Sequence, residues 1–165
     1  MDLTPKRATD SATEMVQVVL PNDANPLGFI LGGTVMHLID IAGAIACHRH
    51  TRTLLVTAAV DDLQFLHSIK VGDLIILKAR VTCAFTTSLE VQVDVFSEET
   101  LTGERQMTST AFLTFVAIDR AGAKIRVPPL LIENDGDRRR CEEAHARRAA
   151  RLRKKSELRS QKYEA

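Results

Sequence analysis

The segment GGTVMHLIDIAGAIACHRH, residues 32–50, decides the fold. It contains no proline, and its apolar residues occupy nearly every direction around a helix of 3.6 residues per turn. A helix that is apolar on all sides must be surrounded by protein, so this segment predicts one long central helix. Asp40 in its middle needs an explanation, because burying an unpaired carboxylate is costly.

Strand-like segments lie on both sides of this helix in the sequence. The clearest is LEVQVDV, residues 89–95, in which apolar and polar side chains alternate. We predict other strands over residues 13–20, over 53–60 as a buried strand, after Gly72-Asp73, and over 107–118 as a mostly buried strand. Consecutive strands with short turns form a largely antiparallel sheet. Such a sheet curled around one long helix is the hotdog fold, an α+β architecture whose open edges are usually covered by dimerisation.

Charge is distributed unevenly along the 165 residues. Residues 1–137 carry 11 basic and 17 acidic side chains, whereas residues 138–165 carry 11 basic and 4 acidic ones. We predict a disordered N-terminus over 1–12, one folded domain over 13–137 and a basic helical or frayed tail over 138–165. The tail is a solvated helix, a phosphate-binding rim or a nucleic-acid arm. The acidic body argues against nucleic acid as a partner.

The composition also points to a cellular location. No run approaches the roughly 18 apolar residues of a membrane span, and the polar segment MDLTPKRATDSATE lacks the apolar core of a secretion signal. The three cysteines have neither metal-ligand nor redox spacing, and their odd number argues against a disulfide framework. We therefore expect a cytoplasmic protein without a membrane partner and without a metal site.

Polar and small residues around Asp40 suggest chemistry. At 100° per residue, Asp40 shares its helix face with Gly33, His37, Gly43, Ala44 and Cys47. Asp40 is then either hydrogen-bonded as a structural residue or placed in a wet cleft. The pair Gly32-Gly33 either packs tightly or leaves free N–H groups at the positive end of the helix. Together with the loop amide of Asn25, these groups could serve as base, water-positioning group and oxyanion site for acyl hydrolysis.

The run PNDANPLGFILGGTVMHLIDIAGAIACHRH, residues 21–50, resembles the signature of hotdog-fold acyl-CoA thioesterases of the YciA and brain acyl-CoA hydrolase type. It shows Asp-x-Asn-x-x-Gly, then Gly-Gly, then an aspartate in the helix. Similar blocks are VTAAVDDLQFL (56–66), VGDLIILKARV (71–81) and TSLEV (87–91), so the resemblance extends over about residues 13–130.

The resemblance implies an enzyme of lipid metabolism that hydrolyses fatty acyl-CoA to free acid and CoA, without a metal or a cofactor beyond the CoA of its substrate. It implies dimers, commonly assembled as trimers of dimers (a hexamer), with each active site at a dimer interface. Asn25 and Asp40 would be the catalytic pair, contributed to one site by different subunits. Whether Asp40 is general base or nucleophile stays open.

The same resemblance implies roles for further residues. The backbone of Gly32 and Gly33 would polarise the carbonyl, and Thr87 and Ser88 would help to hold CoA. The family often has Gly-Arg where Phe85-Thr86 stand here, so one usual CoA contact is missing. Arginine binds phosphate through its planar fork, and the tail residues nearest to the domain are the candidates for this contact: Arg138, Arg139 and Arg140.

Two alternatives to a thioesterase remain at this point. The first is an enoyl-CoA hydratase on the same fold. His37 could orient Asp40, but the hotdog hydratases that use an aspartate–histidine pair have a different motif. The second is a non-catalytic acyl-CoA-binding regulator. Cys47 is expected to be a packing residue rather than a nucleophile, and positive charge on His48 and His50 would suit the carboxyl end of the helix.

Overall fold

The computed structural model describes residues 2–163, except for the side chains of Arg159 and of residues 161–163. Residues 1, 164 and 165, which belong to the predicted terminal segments, lie outside the described residues. The chain divides into two compact units, Met1–Leu131 and Ile132–Ala165. The division falls before residue 132, whereas the sequence predicts it between residues 137 and 138.

The first unit consists of strands, helices and a short 3₁₀ turn. In chain order these are β1 (Lys6–Arg7), α1 (Ala8–Ser11), β2 (Thr13–Val18), the 3₁₀ turn Pro21–Asp23, α2 (Gly32–Thr51), β3 (Leu54–Phe65), β4 (Leu74–Ala84), β5 (Ser88–Glu98), β6 (Arg105–Ile118) and β7 (Leu130–Leu131). The predicted central helix is thus confirmed as α2.

Five strands form one sheet in the order β2-β4-β5-β6-β3, and every neighbouring pair is antiparallel. Helix α2 contacts all five of these strands. One core joins the buried side of the helix to the inner face of the sheet, including Leu38, Ile39, Ala42, Ala46, Val91, Val93, Leu113 and Phe115. This architecture confirms the hotdog fold.

Helix and sheet approach each other most closely at Gly43. A Cβ atom built on Gly43 would lie 3.1 Å from Cγ1 of Val91 and 3.2 Å from Cε2 of Phe115. Since real Cβ contacts are rarely this short, a larger side chain would push the helix away from the sheet. Gly43 therefore sets the depth at which α2 lies in the sheet.

The prediction of a buried strand over residues 53–60 is wrong in its burial. Strand β3 occupies an edge of the sheet, and Leu54, Val56 and Val60 are 51%, 45% and 45% exposed. The register of β3 against β6 shifts between Thr57 and Ala59 and again between Asp61 and Gln64. Apolar composition indicates that a strand becomes buried, but it does not indicate whether its own chain supplies the covering surface.

The structure also differs from the predicted disordered N-terminus. Strand β1 pairs in parallel with β7, and both Ala8 and Ser11 of helix α1 are buried. Arg49 of α2 reaches this segment, where its Nη1 donates to the Ala12 carbonyl and to Thr13 Oγ1, at 3.0 Å each. Long-range contacts of this kind leave no periodic signal in a short polar segment.

His50 likewise differs from the expectation of a charged residue at the helix end. Its ring is fully buried, and Nε2 donates to the Pro128 carbonyl at 3.0 Å. Burial lowers the pKa of His50, because the charged ring would lose its hydration. His48, in contrast, is exposed and its Nδ1 donates to the Thr53 carbonyl at 2.8 Å.

The second unit is built around helix α3, Asp135–Tyr163. Its first turn is capped by Asn134, whose Oδ1 accepts from the N–H of Asp137 at 2.9 Å. Among the described residues, no helix is long and apolar enough to cross a membrane.

Candidate active site

Asp40 is held by a side chain from the neighbouring strand. It is half-buried in the middle of α2, and Thr57 Oγ1 on the exposed β3 donates to its Oδ1 at 2.7 Å. A carboxylate accepts through both oxygens, so this bond leaves Oδ2 for a further partner. A carboxylate that one hydrogen bond orients on a rigid helix has the arrangement of a general base or nucleophile.

The loop before α2 fixes the side chain of Asn25. Its Oδ1 accepts from the N–H groups of Leu27 and Phe29 at 3.0 and 3.2 Å, and its own N–H donates to the Phe29 carbonyl at 2.8 Å. Gly28 permits this tight loop because it adopts a φ of +80°. The amide oxygen is thus engaged, and the Nδ2 group is the part of Asn25 that remains to donate to a bound molecule.

Gly32 and Gly33 begin α2 without a side-chain cap. Their N–H groups have no acceptor within the helix, because the first intrahelical bond of this turn runs from Val35 N to the Leu31 carbonyl at 3.1 Å. A Cβ atom on Gly33 would meet nothing within 4 Å, and one on Gly32 would meet the Phe65 ring at 3.4 Å. The helix start therefore has backbone N–H groups without an intrahelical acceptor, beside open space at Gly33.

Asn25 and Gly32 line the same cavity, which has a volume of about 360 Å³. Asp40 does not belong to its lining. Eight residues separate Gly32 from Asp40, which corresponds to about 12 Å along the helix axis. A single chain thus brings Asn25 to the helix start and Thr57 to Asp40, but it leaves these two pairs of residues apart.

Within the first unit, the predicted CoA-binding residues Thr87 and Ser88 lie outside this cavity. Thr87 and Ser88 lie where the β4–β5 turn enters β5, and Ser88 pairs with Val116 of β6. Ser109 of β6 lies beside the cavity that contains Asn25, and seven strand residues span about 24 Å between Ser109 and Val116. Residues 138–140 lie in the first turns of α3 in the second unit, where Arg140 contacts Asp137 at 3.6 Å.

Cys47 and His37 are the two other residues near Asp40 that could take part in a reaction. Cys47 is a free, buried cysteine, and burial raises the pKa of its thiol strongly. A protonated thiol without access is a poor nucleophile, which agrees with the predicted packing role. His37 is exposed one turn before Asp40.

Thr57 is a site residue that the sequence alone did not predict. It lies in the block VTAAVDDLQFL, but nothing in its local pattern separates it from an ordinary strand threonine. Its partner Asp40 is 17 residues away in the sequence, so only the tertiary structure shows the pair.

Comparison with known proteins shows the family to which the chain belongs. The family model of the thioesterase superfamily matches residues 27–104. An uncharacterized acyl-CoA thioester hydrolase of Bacillus subtilis, YkhA, is 40% identical over 117 residues, which cover 71% of this chain and 68% of the relative. The human cytosolic acyl coenzyme A thioester hydrolase is 31% identical over 145 residues; the match covers 87% of this chain but only 38% of that longer protein.

Solved structures of acyl-CoA thioesterases and acyl-CoA hydrolases are also similar to this chain. A hexameric acyl-CoA thioesterase crystallised in its apo form superposes with a TM-score of 0.87 at 38% identity, covering 92% of this chain and 97% of that one. The acyl-CoA hydrolase of Staphylococcus aureus, crystallised with butyryl coenzyme A, coenzyme A and coenzyme A disulfide, superposes with a TM-score of 0.83 at 31% identity, covering 94% and 97%.

Three alanine variants of the S. aureus hydrolase have also been crystallised. They replace an asparagine, an aspartate 15 residues later and a threonine 17 residues after that. Asn25, Asp40 and Thr57 have the same residue types at the same spacing. The chain belongs to the acyl-CoA thioester hydrolases of the thioesterase superfamily.

Proposed function

We propose that this protein hydrolyses acyl-CoA thioesters to a carboxylic acid and CoA, and that Asp40 and Asn25 are its catalytic pair. The observation that carries this assignment is the hydrogen bond from Thr57 to Asp40, at 2.7 Å. It links two of the three residues whose types and spacing match the S. aureus variants. Thr57 is then a positioning residue that orients the carboxylate.

Two routes fit a carboxylate in this position. In the first, Asp40 takes a proton from water while the water oxygen attacks the thioester carbonyl, and the CoA thiolate leaves with a proton returned by Asp40. In the second, Asp40 attacks the carbonyl itself and expels the thiolate, and water then hydrolyses the resulting anhydride. Both routes consume one water and need no metal or additional cofactor.

The carbonyl oxygen gains negative charge in either route and needs donors. The N–H groups of Gly32 and Gly33 lie at the positive end of α2, where they favour such a charge. The Asn25 amide is oriented by its two bonds from Leu27 and Phe29, so its Nδ2 group can donate to the attacking water or to the oxyanion. The open space in front of Gly33 leaves room for a thioester to approach the backbone.

We propose that each active site is shared between two subunits. The separation of about 12 Å along α2 between Gly32 and Asp40 supports this arrangement, because both groups must reach one thioester. The apolar, exposed edge strand β3 next to Asp40 is the kind of surface that a second copy covers. The hexameric thioesterase with which this chain superposes supports a larger assembly, and a trimer of such dimers has the right number of subunits.

The CoA nucleotide would lie towards the other end of the sheet. We assign Thr87 and Ser88 to it. We propose separately that the guanidinium groups of Arg138, Arg139 and Arg140 bind phosphates of CoA, because arginine suits phosphate. The human relative named cytosolic acyl coenzyme A thioester hydrolase supports a cytoplasmic location. A role in lipid metabolism is part of the same proposal, because fatty acids are carried as acyl-CoA thioesters.

Two measurements test these proposals. The purified protein is incubated with a panel of acyl-CoAs, and the released CoA thiol is followed with a thiol reagent; turnover is expected. Asn25→Ala and Asp40→Ala proteins, each inactive alone, are then mixed under conditions of subunit exchange. Hybrid dimers should regain activity, because one of their two sites is intact. Confirmed exchange without recovered turnover would show that one chain supplies both residues.

A further inference from the structure

Ser109 is a polar residue in a row of apolar core side chains. Strand β6 directs Ala111, Leu113, Phe115 and Ala117 to the inner face of the sheet, and Ser109 continues this row by the two-residue period of a strand. It is fully buried, and its Oγ has no hydrogen-bond partner among the described residues. A buried, unpaired hydroxyl is unfavourable, so its presence in a row of core residues suggests a ligand.

The surroundings of Ser109 indicate what this ligand is. Ser109 lines the cavity of about 360 Å³ that also contains Asn25 and Gly32. The adjacent hydroxyl of Thr108 is already engaged, since it donates to the Val95 carbonyl at 3.1 Å. Most of the other lining residues are apolar: Phe29, Ile30, Val35, Phe65, Leu66 and Ile69. The cavity therefore combines a largely apolar wall with one buried, unpaired hydroxyl, that of Ser109. His67 and Ser68 also line it, but both are exposed.

We propose that this cavity receives the acyl chain and that Ser109 hydrogen-bonds an oxygen atom carried by that chain. The preferred substrates are acyl-CoAs whose chain bears a hydroxyl or oxo group. This inference rests on the proposed function, because the thioester carbonyl must lie at Asn25 and Gly32 for the chain to enter here.

The physical reason is the change in the partners of Ser109 on binding. Ser109 Oγ is unpaired in the free protein, and a plain hydrocarbon chain leaves it unpaired, whereas an oxygenated chain supplies a hydrogen bond. A neutral oxygen suits Ser109 better than a carboxylate, because one buried hydroxyl does not compensate for the desolvation of a charge. The described residues that line the cavity include no lysine or arginine, and the one histidine among them, His67, is exposed.

The test compares acyl-CoAs of one chain length. kcat/KM is measured for hexanoyl-CoA and for its 3-hydroxy, 5-hydroxy and 3-oxo derivatives. The wild-type protein should prefer at least one oxygenated substrate over hexanoyl-CoA by about fivefold, which is the factor that one net hydrogen bond provides. Ser109→Ala should abolish this preference by lowering kcat/KM for the oxygenated substrate to the value for hexanoyl-CoA. It should also keep its thermal midpoint, because the substitution breaks no internal hydrogen bond.

Thr114→Val is the matched control. Thr114 lies on the same strand, is also buried and also has an unpartnered hydroxyl, but it does not line the cavity. This variant should keep the wild-type preference. Equal kcat/KM for all four substrates, or a preference that survives Ser109→Ala, would overturn the inference while hexanoyl-CoA turnover upheld the proposed function. If none of the four were hydrolysed, the proposed function itself would be overturned, and the inference with it.

Discussion

The two halves of α2 have the same apolar composition but very different surroundings. In the first half, Gly32, Gly33, Met36 and His37 are exposed, and the half-buried Asp40 ends this stretch. In the second half, Ala42, Gly43, Ala46, Cys47 and His50 are buried. A helix that is apolar all round is therefore enclosed by its own chain along only part of its length. The first half is open for substrate and, in our proposal, for a second subunit.

This difference separates the residues that the fold needs from those that the reaction needs. Side chains of the second half fill space between helix and sheet, so replacing them should affect stability. In the first half, Leu38 and Ile39 also belong to the core, but Gly33 faces open space and Asp40 is held by Thr57. Replacing Gly33 or Asp40 should therefore affect turnover. The following substitutions test this separation, in order of decreasing expected effect.

Asp40→Asn should produce the largest effect. A positioned general base contributes roughly 10²–10⁴-fold to a rate, and the amide cannot accept the proton. We expect kcat to fall by about this factor while the thermal midpoint stays close to that of wild type, because Asn retains an oxygen that accepts from Thr57. Steady-state hydrolysis and a thermal melt on the same samples provide the check. Near-wild-type turnover would remove Asp40 from the reaction, and loss of folding would make it a structural residue.

Gly43→Val and Gly33→Ala contrast the two halves directly. The valine on Gly43 would press on Val91 and Phe115, and overpacking of this kind costs about 1–3 kcal/mol of unfolding free energy. An alanine on Gly33 meets nothing within 4 Å, so its stability should match wild type. Its methyl group would nevertheless stand in front of the proposed oxyanion donors and lower turnover about tenfold. Urea titration and hydrolysis assays on both variants would contradict the comparison if the pattern were reversed.

Thr57→Val should have a smaller effect on the same reaction. Valine keeps the shape of threonine but cannot donate to Asp40 Oδ1. The loss of one orienting hydrogen bond to a charged group corresponds to about a tenfold decrease in kcat. Thr57→Ser, which keeps the donor, should recover most of the activity. If valine and serine behaved alike, the hydrogen bond at 2.7 Å would have no part in catalysis.

Removal of the tail after Asp137 should have the smallest effect. If residues 138–140 hold the phosphates of CoA, the truncated protein should show a KM for acyl-CoA that is raised severalfold at low salt, with a smaller change in kcat. The rise should shrink at high salt, where screening already weakens the contribution of the arginines. An acyl-pantetheine thioester, which lacks the nucleotide, is the control and should show no change. An unchanged KM at low salt would leave the tail as a solvated helix.

Much of the fold follows from local sequence patterns. The absence of proline and the all-round apolar pattern of residues 32–50 predict α2 to within one residue of Gly32–Thr51. The alternation in residues 89–95 predicts the centre of β5, Ser88–Glu98. These patterns are sufficient because a helix and a strand of a small domain each reveal the period of their buried face.

The predictions from sequence are wrong where the burial of a residue depends on residues far away in the chain. His50 looked like a charged helix terminus, but the Pro128 carbonyl from far along the chain meets its ring. Strand β3 looked buried, because sequence does not distinguish a face covered by the same chain from one left at an edge. The site shows the same limit. Asn25, Asp40 and Gly33 were selected from one contiguous segment, whereas Thr57 on the next strand was not.

The short pairing of β1 with β7 has a consequence for how the chain can be rearranged. Lys6 lies opposite Leu130, so the two ends of the first unit are neighbours in space although 124 residues separate them. Closing so long a loop costs chain entropy, so we expect the two-residue ladder to form after the sheet has brought its ends together. Because its two ends are close in space, the first unit is suited to circular permutation. A short linker could join residue 131 to residue 5, and new ends could open at the exposed turn that contains Gly103.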